Sequence, residues 1–261
     1  MAQVNLLAVS VGNTRTRIGA FVDGQLAKTA TFENGRREQI DEAISEAFDP
    51  LKDREDAAIL LSSVNPSVAE SVQQKLTTCC GRSVMRVERD LPVPVGRQLD
   101  PEAMVGEDRL LNAAAAYDVL KQACVVVDAG TAITIDFVDG AGTFHGGAIA
   151  PGAQLMMDSL NQRTAQLPEV EFDKPTDVIG HNTIQAMKAG VFYGLRGMVR
   201  ELVEQFAESA GQFPLVVATG GDGALLFKDY DLIDRVVPDL TLMGLALTHR
   251  VALERAGGDG D

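Results

Sequence analysis

The sequence predicts an α/β protein built from two similar domains, residues 1–119 and 120–261. Three observations support this prediction. Short apolar runs of strand length alternate with helical segments, which is typical of α/β folds. A pattern of strand, glycine-containing turn and strand occurs at the N-terminus and again in the middle of the chain. The chain has 261 residues, 46% of them hydrophobic, enough for one large domain or two smaller ones, each with its own core.

The first predicted domain opens with three antiparallel strands, Leu6–Ser10, Arg15–Val22 and Gln25–Phe32. Asp23-Gly24 lies between the last two, and Asp-Gly between alternating runs is a strong hairpin signal. Asn65-Pro66 marks the start of a helix, since Pro is favoured in the first turn. The remaining predicted elements are a helix at 37–48, strands at 57–61 and 83–87, a helix at 67–76, a proline-rich loop at 91–101 and an alanine-rich helix ending near 119.

The second predicted domain restarts the pattern at Ala123. A β-branched strand at 123–127 leads into Asp128-Ala129-Gly130-Thr131, and two further strands follow at 132–138 and up to residue 149. The later predicted elements are helices at 153–160 and 183–210, a strand at 214–219, a short helix, a strand at 232–237 and a closing helix at 240–256.

The two halves share aligned anchors. Val9–Gly12 align with Val127–Gly130, and Phe21–Gly24 align with Phe137–Gly140. Between the anchors the first copy has eight residues (13–20) and the second has six (131–136). A difference of two leaves each side chain on the same face of its strand. The pattern indicates an internal duplication.

The charge balance limits the classes of partner. Lys and Arg total 23 against 37 Asp and Glu, a net charge of −14, and basic residues come in pairs at most. Such a chain repels nucleic acid and anionic lipid, so we expect neither as a partner. A few backbone amides and one cation can still bind a small anion. We find no apolar run of membrane-spanning length and no secretory signal, so we expect a cytoplasmic protein.

Each copy places a small, glycine-containing turn after its first strand. The turns are Gly12-Asn13-Thr14 and Gly130-Thr131, and Thr219-Gly220-Gly221 forms a third strand end. Small residues let backbone N–H groups approach an anion, and threonine adds a hydroxyl donor. One such turn alone merely shapes a hairpin, but two duplicated turns favour a polyphosphate site between the domains.

Two aspartates are candidates for chemistry. Asp128 ends an apolar strand, where it coordinates a cation, orients phosphate or caps the turn. Asp108 opens the alanine-rich helix, where it is either a first-turn acid or a base that accepts a proton from a substrate hydroxyl. Arg109 beside it suits an anionic group. Spacing alone leaves these alternatives open.

Several common catalytic motifs do not occur. The sequence has no GxxxxGK[ST] and no GxGxxG, so it is neither a P-loop NTPase nor a standard dinucleotide-binding fold. His145, His181 and His249 are isolated in the sequence, which favours structural roles over a metal site.

The chain resembles the type III pantothenate kinases. The resemblance covers nearly the whole chain, and its specificity lies in the order and combination of short motifs. Those motifs are Gly12-Asn13-Thr14, Ser63-Val64-Asn65-Pro66, Gly106-Glu107-Asp108-Arg109, Asp128-Ala129-Gly130-Thr131-Ala132, Gly146-Gly147 to Pro151-Gly152, Leu167-Pro168, Gly180-His181-Asn182-Thr183 and Thr219-Gly220-Gly221.

The resemblance implies a fold, a reaction and partners. The fold is two duplicated RNase H-like (actin-like ATPase) domains, each with a mixed sheet flanked by helices and with the active site in the cleft between them. The reaction is phosphorylation of pantothenate by ATP with Mg²⁺, the first step of coenzyme A biosynthesis. The family usually forms a homodimer that requires a monovalent cation, K⁺ or NH₄⁺.

The resemblance also implies residue roles. Asp108 corresponds to the catalytic base and Asp128 to the metal ligand that holds potassium. The expected ATP-binding residues are Ser10, Val11, Gly12, Asn13, Thr14, Arg15, Thr16, Arg17 and Thr131. The expected pantothenate-binding residues are Gln98, Gly106, Glu107, Asp108, Arg109 and Thr183.

Two positions depart from the family pattern. Ser10 stands where members carry Asp, and Asp128 occupies the same position in the second copy. Serine can donate a hydrogen bond but brings no charge toward Mg²⁺. Gln98 falls near a position where the family tends to place a substrate-facing tyrosine. Ser10 therefore leaves an alternative: a weakened or inactive member that acts as a binding or regulatory protein. A sugar or acetate kinase of the same superfamily fits the hairpins but not Gly106–Arg109.

Overall fold

The computed structural model describes residues 4–36 and 40–258, which group into two compact units. The first unit consists of Met1–Val95, Glu102–Ala115 and Leu240–Asp261. The second consists of Gly96–Pro101 and Ala116–Asp239. Within the described residues, no helix is both long enough and apolar enough to cross a membrane.

The first unit is built on a five-stranded mixed sheet of order β3-β2-β1-β4-β5. β1, β2 and β3 form the antiparallel meander predicted from Asp23-Gly24, while β4 and β5 run parallel to β1. Asp23 adopts a positive φ of 52° in that turn. The strands are β1 Leu6–Val11, β2 Arg15–Val22, β3 Gln25–Glu33, β4 Ala58–Ser63 and β5 Val84–Arg86.

Among the described residues, four α-helices belong wholly or partly to this unit: α1 Ile40–Phe48, α2 Pro66–Cys80, α3 Glu107–Leu120 and α7 Leu240–Gly258. A short 3₁₀-helix, Asp49–Leu51, follows α1. The predicted start of α1 at residue 37 lies outside the described residues. α2 begins where Asn65-Pro66 predicts, because the Asn65 side chain accepts from the Val68 N–H. It ends at Gly81 in the left-handed conformation, φ 64°.

One face of the first sheet packs against α1 and α2. Alternate β1 residues, Leu7, Val9 and Val11, join Ile44 of α1 and Val72 of α2 in a buried core. Since successive side chains of a strand point to opposite faces, Ser10 lies on the other face of β1. α7 contacts β1, β2 and β4.

The second unit is built on a six-stranded mixed sheet of order β11-β10-β7-β8-β9-β6. β7, β8 and β9 are antiparallel, and β10 is parallel to β7. The strands are β6 Gly96–Arg97, β7 Cys124–Ala129, β8 Ala132–Val138, β9 Thr143–Pro151, β10 Leu215–Thr219 and β11 Arg235–Val236.

Three helices cover the second sheet: α4 Ala153–Arg163, α5 Thr183–Ala210 and α6 Gly223–Phe227. The bounds of α5 match the prediction because both ends carry capping residues. The Asn182 side chain accepts from the Gln185 N–H, and Gly211 closes the helix at φ 67°. Phe192, Leu195 and Val199 of α5 are buried in the core with Val127 of β7.

The two sheets confirm the predicted duplication. The order β3-β2-β1-β4-β5 matches β9-β8-β7-β10-β11 strand for strand, and β1 and β7 share one burial pattern. Ser10 pairs with Ser62 of β4, and Asp128 pairs with Thr219 of β10. Both are the half-buried penultimate residues of their strands, so they are structural equivalents.

The compact units differ in extent from the predicted domains 1–119 and 120–261. α7 packs on the first sheet although it closes the chain, and a two-residue strand in the proline-rich loop, β6, pairs with β9. Both differences arise from contacts between residues far apart in sequence, which local patterns do not encode.

Candidate active site

The turn after β1 is a tight hairpin held by a neighbouring asparagine. The Gly12 N–H donates to the Arg15 carbonyl at 3.0 Å. The Asn34 side chain donates to the Gly12 carbonyl at 2.8 Å and the Asn13 carbonyl at 3.1 Å. Asn34 also accepts from the Thr16 hydroxyl at 2.8 Å. Hydrogen bonds with Asn34 therefore hold the hairpin in place. The one feature of the sequence that marks Asn34 is its position before Gly35, directly after β3.

The predicted ATP-binding segment 10–17 divides into exposed and buried side chains. Asn13, Thr14 and Arg15 are exposed at the hairpin tip, and Ser10, Gly12 and Arg17 are half-buried. Val11 belongs to the core and Thr16 is buried. The side chains of Val11 and Thr16 therefore hold the hairpin in place, and the tip presents the exposed polar groups.

The segment Gly106–Arg109 opens α3 in the first unit. The Arg109 N–H donates to Asp108 Oδ1 at 2.8 Å. A Cβ added at Gly106 would lie 2.5 Å from the same oxygen, so a side chain at this position would displace the Asp108 carboxylate. Burial raises the pKa of Asp108, and the Arg109 amide and charge oppose that rise. A half-buried carboxylate with a raised pKa is suited to accept a proton.

Glu107 reaches from α3 to the end of β4. Its Oε2 accepts from the Ser63 N–H at 2.8 Å, and its carboxylate accepts from the Ser62 hydroxyl. Burial raises the pKa of Glu107 despite these bonds. Ser62 is the register partner of Ser10 on the neighbouring strand β4. Glu107 therefore contacts the strand that lies beside Ser10.

Three glycine-containing segments of the second unit meet around Asp128. A Cβ at Gly220, whose φ is 90°, would lie 2.4 Å from Asp128 Oδ1. The Gly152 N–H donates to the Thr131 carbonyl at 3.0 Å, and the Asp222 N–H donates to the Ala129 carbonyl at 2.9 Å. The second hairpin and the third glycine-rich strand end therefore converge at this carboxylate.

Thr183 and Gln98 are exposed residues of the second unit. Thr183 is the first residue of α5, directly after the Asn182 cap. A Cβ at Gly180 would lie 2.3 Å from the Ala186 nitrogen, so the segment before α5 packs closely on the helix. The Gln98 N–H donates to the Phe144 carbonyl at 3.0 Å, which leaves its side chain at the edge of the sheet next to β6.

The described residues contain no group of three or more His, Cys, Asp or Glu side chains able to hold a metal ion. Mg²⁺ usually binds through one or two carboxylates together with substrate phosphates. Asp128 and Glu107 each offer hard oxygen atoms beside a serine or threonine, which is the donor chemistry that such a cation takes.

Comparisons with known proteins identify relatives of this chain. A family model described as type III pantothenate kinase matches residues 6–205. A type III pantothenate kinase of Dehalococcoides mccartyi (strain ATCC BAA-2266 / KCTC 15142 / 195) is 35% identical over 254 residues, covering 94% of this chain and 97% of the relative. One from Anaeromyxobacter sp. (strain K) is 36% identical over 249 residues, covering 94% and 98%.

Solved structures show the fold. A conserved putative Baf family transcriptional activator from Campylobacter jejuni has a TM-score of 0.60 at 21% identity, covering 96% of this chain and 99% of that one. MreB5 of Spiroplasma citri bound to ADP has a TM-score of 0.52 at 11% identity, covering 97% and 98%. The predicted fold of two duplicated α/β units, each with a mixed sheet flanked by helices, is confirmed. The sequence relatives and the family model show that this chain belongs to the type III pantothenate kinase family.

Proposed function

We propose that this protein phosphorylates pantothenate with ATP to give 4'-phosphopantothenate, the first step of coenzyme A biosynthesis. The observation that carries the proposal is family membership over nearly the whole chain. The local geometry supports it, since Gly106 gives the Asp108 carboxylate room at the start of α3.

In this proposal Asp108 is the catalytic base. It accepts the proton of the pantothenate hydroxyl as that oxygen attacks the γ-phosphorus of ATP, and ADP leaves. Phosphoryl transfer asks little covalent chemistry of a protein, so positioning and charge stabilisation do most of the work. The raised pKa of Asp108 makes it a stronger base than an exposed aspartate.

Backbone amides of the first hairpin and the hydroxyl of Thr131 bind the phosphates of ATP in this proposal. The exposed Asn13, Thr14 and Arg15 suit that role because they stand at the tip of a fixed turn. Mg²⁺, when bound, offsets the negative charge of the phosphates. Asp128 holds the monovalent cation, K⁺ or NH₄⁺, and its carboxylate position beside Gly220 supports this assignment.

The pantothenate side of the proposal rests on one charge and several polar groups. Arg109 binds the carboxylate of pantothenate, since a guanidinium matches a carboxylate in shape and charge. Gly106 and Glu107 shape the segment around it. Thr183 and Gln98 contribute exposed polar side chains.

A homodimer and a cytoplasmic location complete the proposal. An apolar groove of about 500 Å³ lies between α4 and α5, lined by Leu155, Met156 and Leu160 on one side. Nearby Ile149 and Tyr193 are exposed large hydrophobic residues. A second copy that covered this face would bury that apolar surface, which supports the expected homodimer.

A second candidate function follows from Ser10. The absence of a carboxylate at this position favours a weakened or inactive member that serves as a binding or regulatory protein. The observation is specific, because the equivalent residue of the second unit is Asp128.

One assay separates the two functions. Purified protein is incubated with pantothenate, Mg-ATP and KCl, and phosphopantothenate is measured by mass spectrometry for the wild type and Ser10→Asp. We expect product from the wild type and less when NaCl replaces KCl. No product from the wild type, with product restored by Ser10→Asp, would establish the inactive alternative.

A further inference from the structure

The end of β1 has no carboxylate of its own. Ser10 and Asp128 occupy equivalent positions, each penultimate in its strand and each half-buried. Ser10 offers a hydroxyl, which can join a hydrogen-bond network but carries no charge. An ATP-dependent enzyme of this family therefore needs negative charge toward the Mg²⁺-phosphate group from another residue.

Glu107 lies beside this position. Ser10 and Ser62 are register partners on neighbouring parallel strands, so their side chains leave the same face of the sheet. The Ser62 hydroxyl donates to the Glu107 carboxylate. The Ser63 N–H donates to Glu107 Oε2 at 2.8 Å, which fixes one oxygen of the carboxylate at the carboxyl end of β4.

The position of Glu107 follows from the fold of the first unit. The carboxyl ends of parallel β1 and β4 lie side by side, and Val64 N–H donates to the Val11 carbonyl at 3.1 Å just beyond them. α3 begins at Glu107, so its first residue is directed at this edge. In open α/β sheets, ligands bind at the carboxyl ends of the strands.

The donor chemistry suits a magnesium ion. A carboxylate has about four acceptor positions, and the two serine donors occupy two of them. Carboxylate and hydroxyl oxygens are hard ligands of the kind that Mg²⁺ takes together with waters and phosphates. Glu107 is half-buried, which strengthens its interaction with a nearby cation relative to an exposed acid.

We propose that Glu107 supplies, from α3, the negative charge toward the Mg²⁺-phosphate group that Ser10 cannot supply from β1. This inference rests on the proposed function, since it concerns the ATP side of the same site. It makes Ser10 and Glu107 a coupled pair in which one acid is sufficient. The competing role of Glu107 is structural: a brace between α3 and the end of β4.

A double-mutant cycle separates these two roles. The variants are Glu107→Gln, Ser10→Asp and the pair together. Glutamine retains an oxygen that can accept from the Ser63 N–H, so it preserves the brace and removes the charge. The measurement is the affinity of a non-hydrolysable ATP analogue by titration calorimetry, with and without Mg²⁺, which does not depend on turnover.

We expect Glu107→Gln to reduce Mg²⁺-dependent affinity about tenfold or more in the Ser10 background, the typical effect of losing a charged contact. In the Ser10→Asp background the same change should cost less than about threefold, because the introduced carboxylate then supplies the charge. An equal loss in both backgrounds, or none in either, would overturn the proposal. Glu102→Gln, an exposed acid of the preceding loop, is the matched control and should leave affinity unchanged.

Two further readouts keep the outcome clear. If Glu107→Gln fails to fold, Ser10→Asp alone decides. A gain in Mg²⁺-dependent affinity below about threefold supports compensation by Glu107, and any larger gain overturns the proposal because it shows that the charge was missing. If the binding cycle behaves as expected and no variant forms phosphopantothenate, the proposed reaction is wrong while the assignment of Glu107 holds.

Discussion

Burial raises the pKa of two adjacent acids at the start of α3. For both Glu107 and Asp108 the main cause is desolvation, and hydrogen bonds from serine residues or the Arg109 amide offset part of that cost. A group whose pKa is raised in the folded state is easier to protonate there than in the unfolded chain. At neutral pH each of these ionised side chains therefore lowers the free energy of unfolding.

Asp108→Asn should abolish most turnover while stabilising the fold. Loss of a general base typically lowers kcat by about 10²–10⁴-fold. The pKa of Asp108 is higher in the folded protein than in the unfolded chain. The free energy of unfolding of the wild type therefore falls as pH rises from the unfolded-state pKa through the folded-state pKa. Asparagine does not ionise, and we expect a higher Tm at pH 7. Steady-state kinetics and thermal unfolding measure the two effects.

The control for Asp108→Asn is Asp100→Asn, which changes an exposed aspartate of the preceding loop. It should leave kcat and Tm within error. Turnover unchanged by Asp108→Asn would mean that another group accepts the proton.

His249 in α7 is a buried imidazole that favours its neutral form. His249 is 5% exposed, and its Nδ1 has no hydrogen-bond partner among the residues that the structure describes. Burial lowers its pKa, although the Asp56 charge opposes this. The unfolded chain gains a proton on this residue below about pH 6.5. Stability should therefore fall as pH drops below that value, since the unfolded state binds more protons.

His249→Phe should flatten this pH dependence. We expect the urea midpoints of the variant at pH 7 and pH 5 to differ less than those of the wild type, because the titrating group is gone. His181→Gln, at an exposed position, should retain the wild-type difference. An unchanged difference in His249→Phe would assign the acid sensitivity to other groups.

At the scale of elements, local sequence signals located most helices and strands. α5 was predicted with the bounds that Asn182 and Gly211 cap, and Asn65 marked the start of α2. The end of α2 was predicted at residue 76, whereas the helix continues to Cys80, before Gly81. β6 was not predictable, because its two residues become a strand only by pairing with β9, more than forty positions away. The role of Asn34 was not predictable for the same reason, because it depends on contacts with the hairpin between β1 and β2.

Gly220 joins β10 to α6, and its substitution should disrupt this junction. Gly220→Ala would place a Cβ at a φ of 90° and 2.5 Å from the backbone of Ala129. A strained φ costs about 1–3 kcal/mol by itself, and backbone atoms cannot move aside as a flexible side chain can. We expect a loss of about 2 kcal/mol or more in the free energy of unfolding, together with weaker binding of ATP.

Gly223→Ala is the matched control for Gly220→Ala. Gly223 begins α6, and a Cβ there has no atom within 4 Å. Alanine in a helix is favoured over glycine by about 0.5–1 kcal/mol, so stability should hold or rise. Equal losses of unfolding free energy in the two variants would show that the junction tolerates neither substitution. The close approach of backbone atoms at Gly220 would then not be the cause of the loss.

At the scale of the whole molecule, the duplication was the most informative sequence feature. It aligned Ser10 with Asp128, and the matching strand orders and burial patterns make the two residues structural equivalents. The extent of each compact unit was not predictable. Helical periodicity identified α7, but not the sheet on which it packs, because that choice depends on shape complementarity between distant residues.

The packing of α7 predicts how a truncated chain will behave. α7 contacts β1, β2 and β4, and a Cβ at Gly244 would lie 2.4 Å from the Leu111 carbonyl oxygen, so α7 and α3 are in close contact. Removal of residues 240–261 should expose this face of the first sheet and unfold the first unit, while amides of β7 and β10 keep their protection. Hydrogen exchange measured by mass spectrometry reports each unit separately. Equal loss of protection in both units would show that they unfold as one.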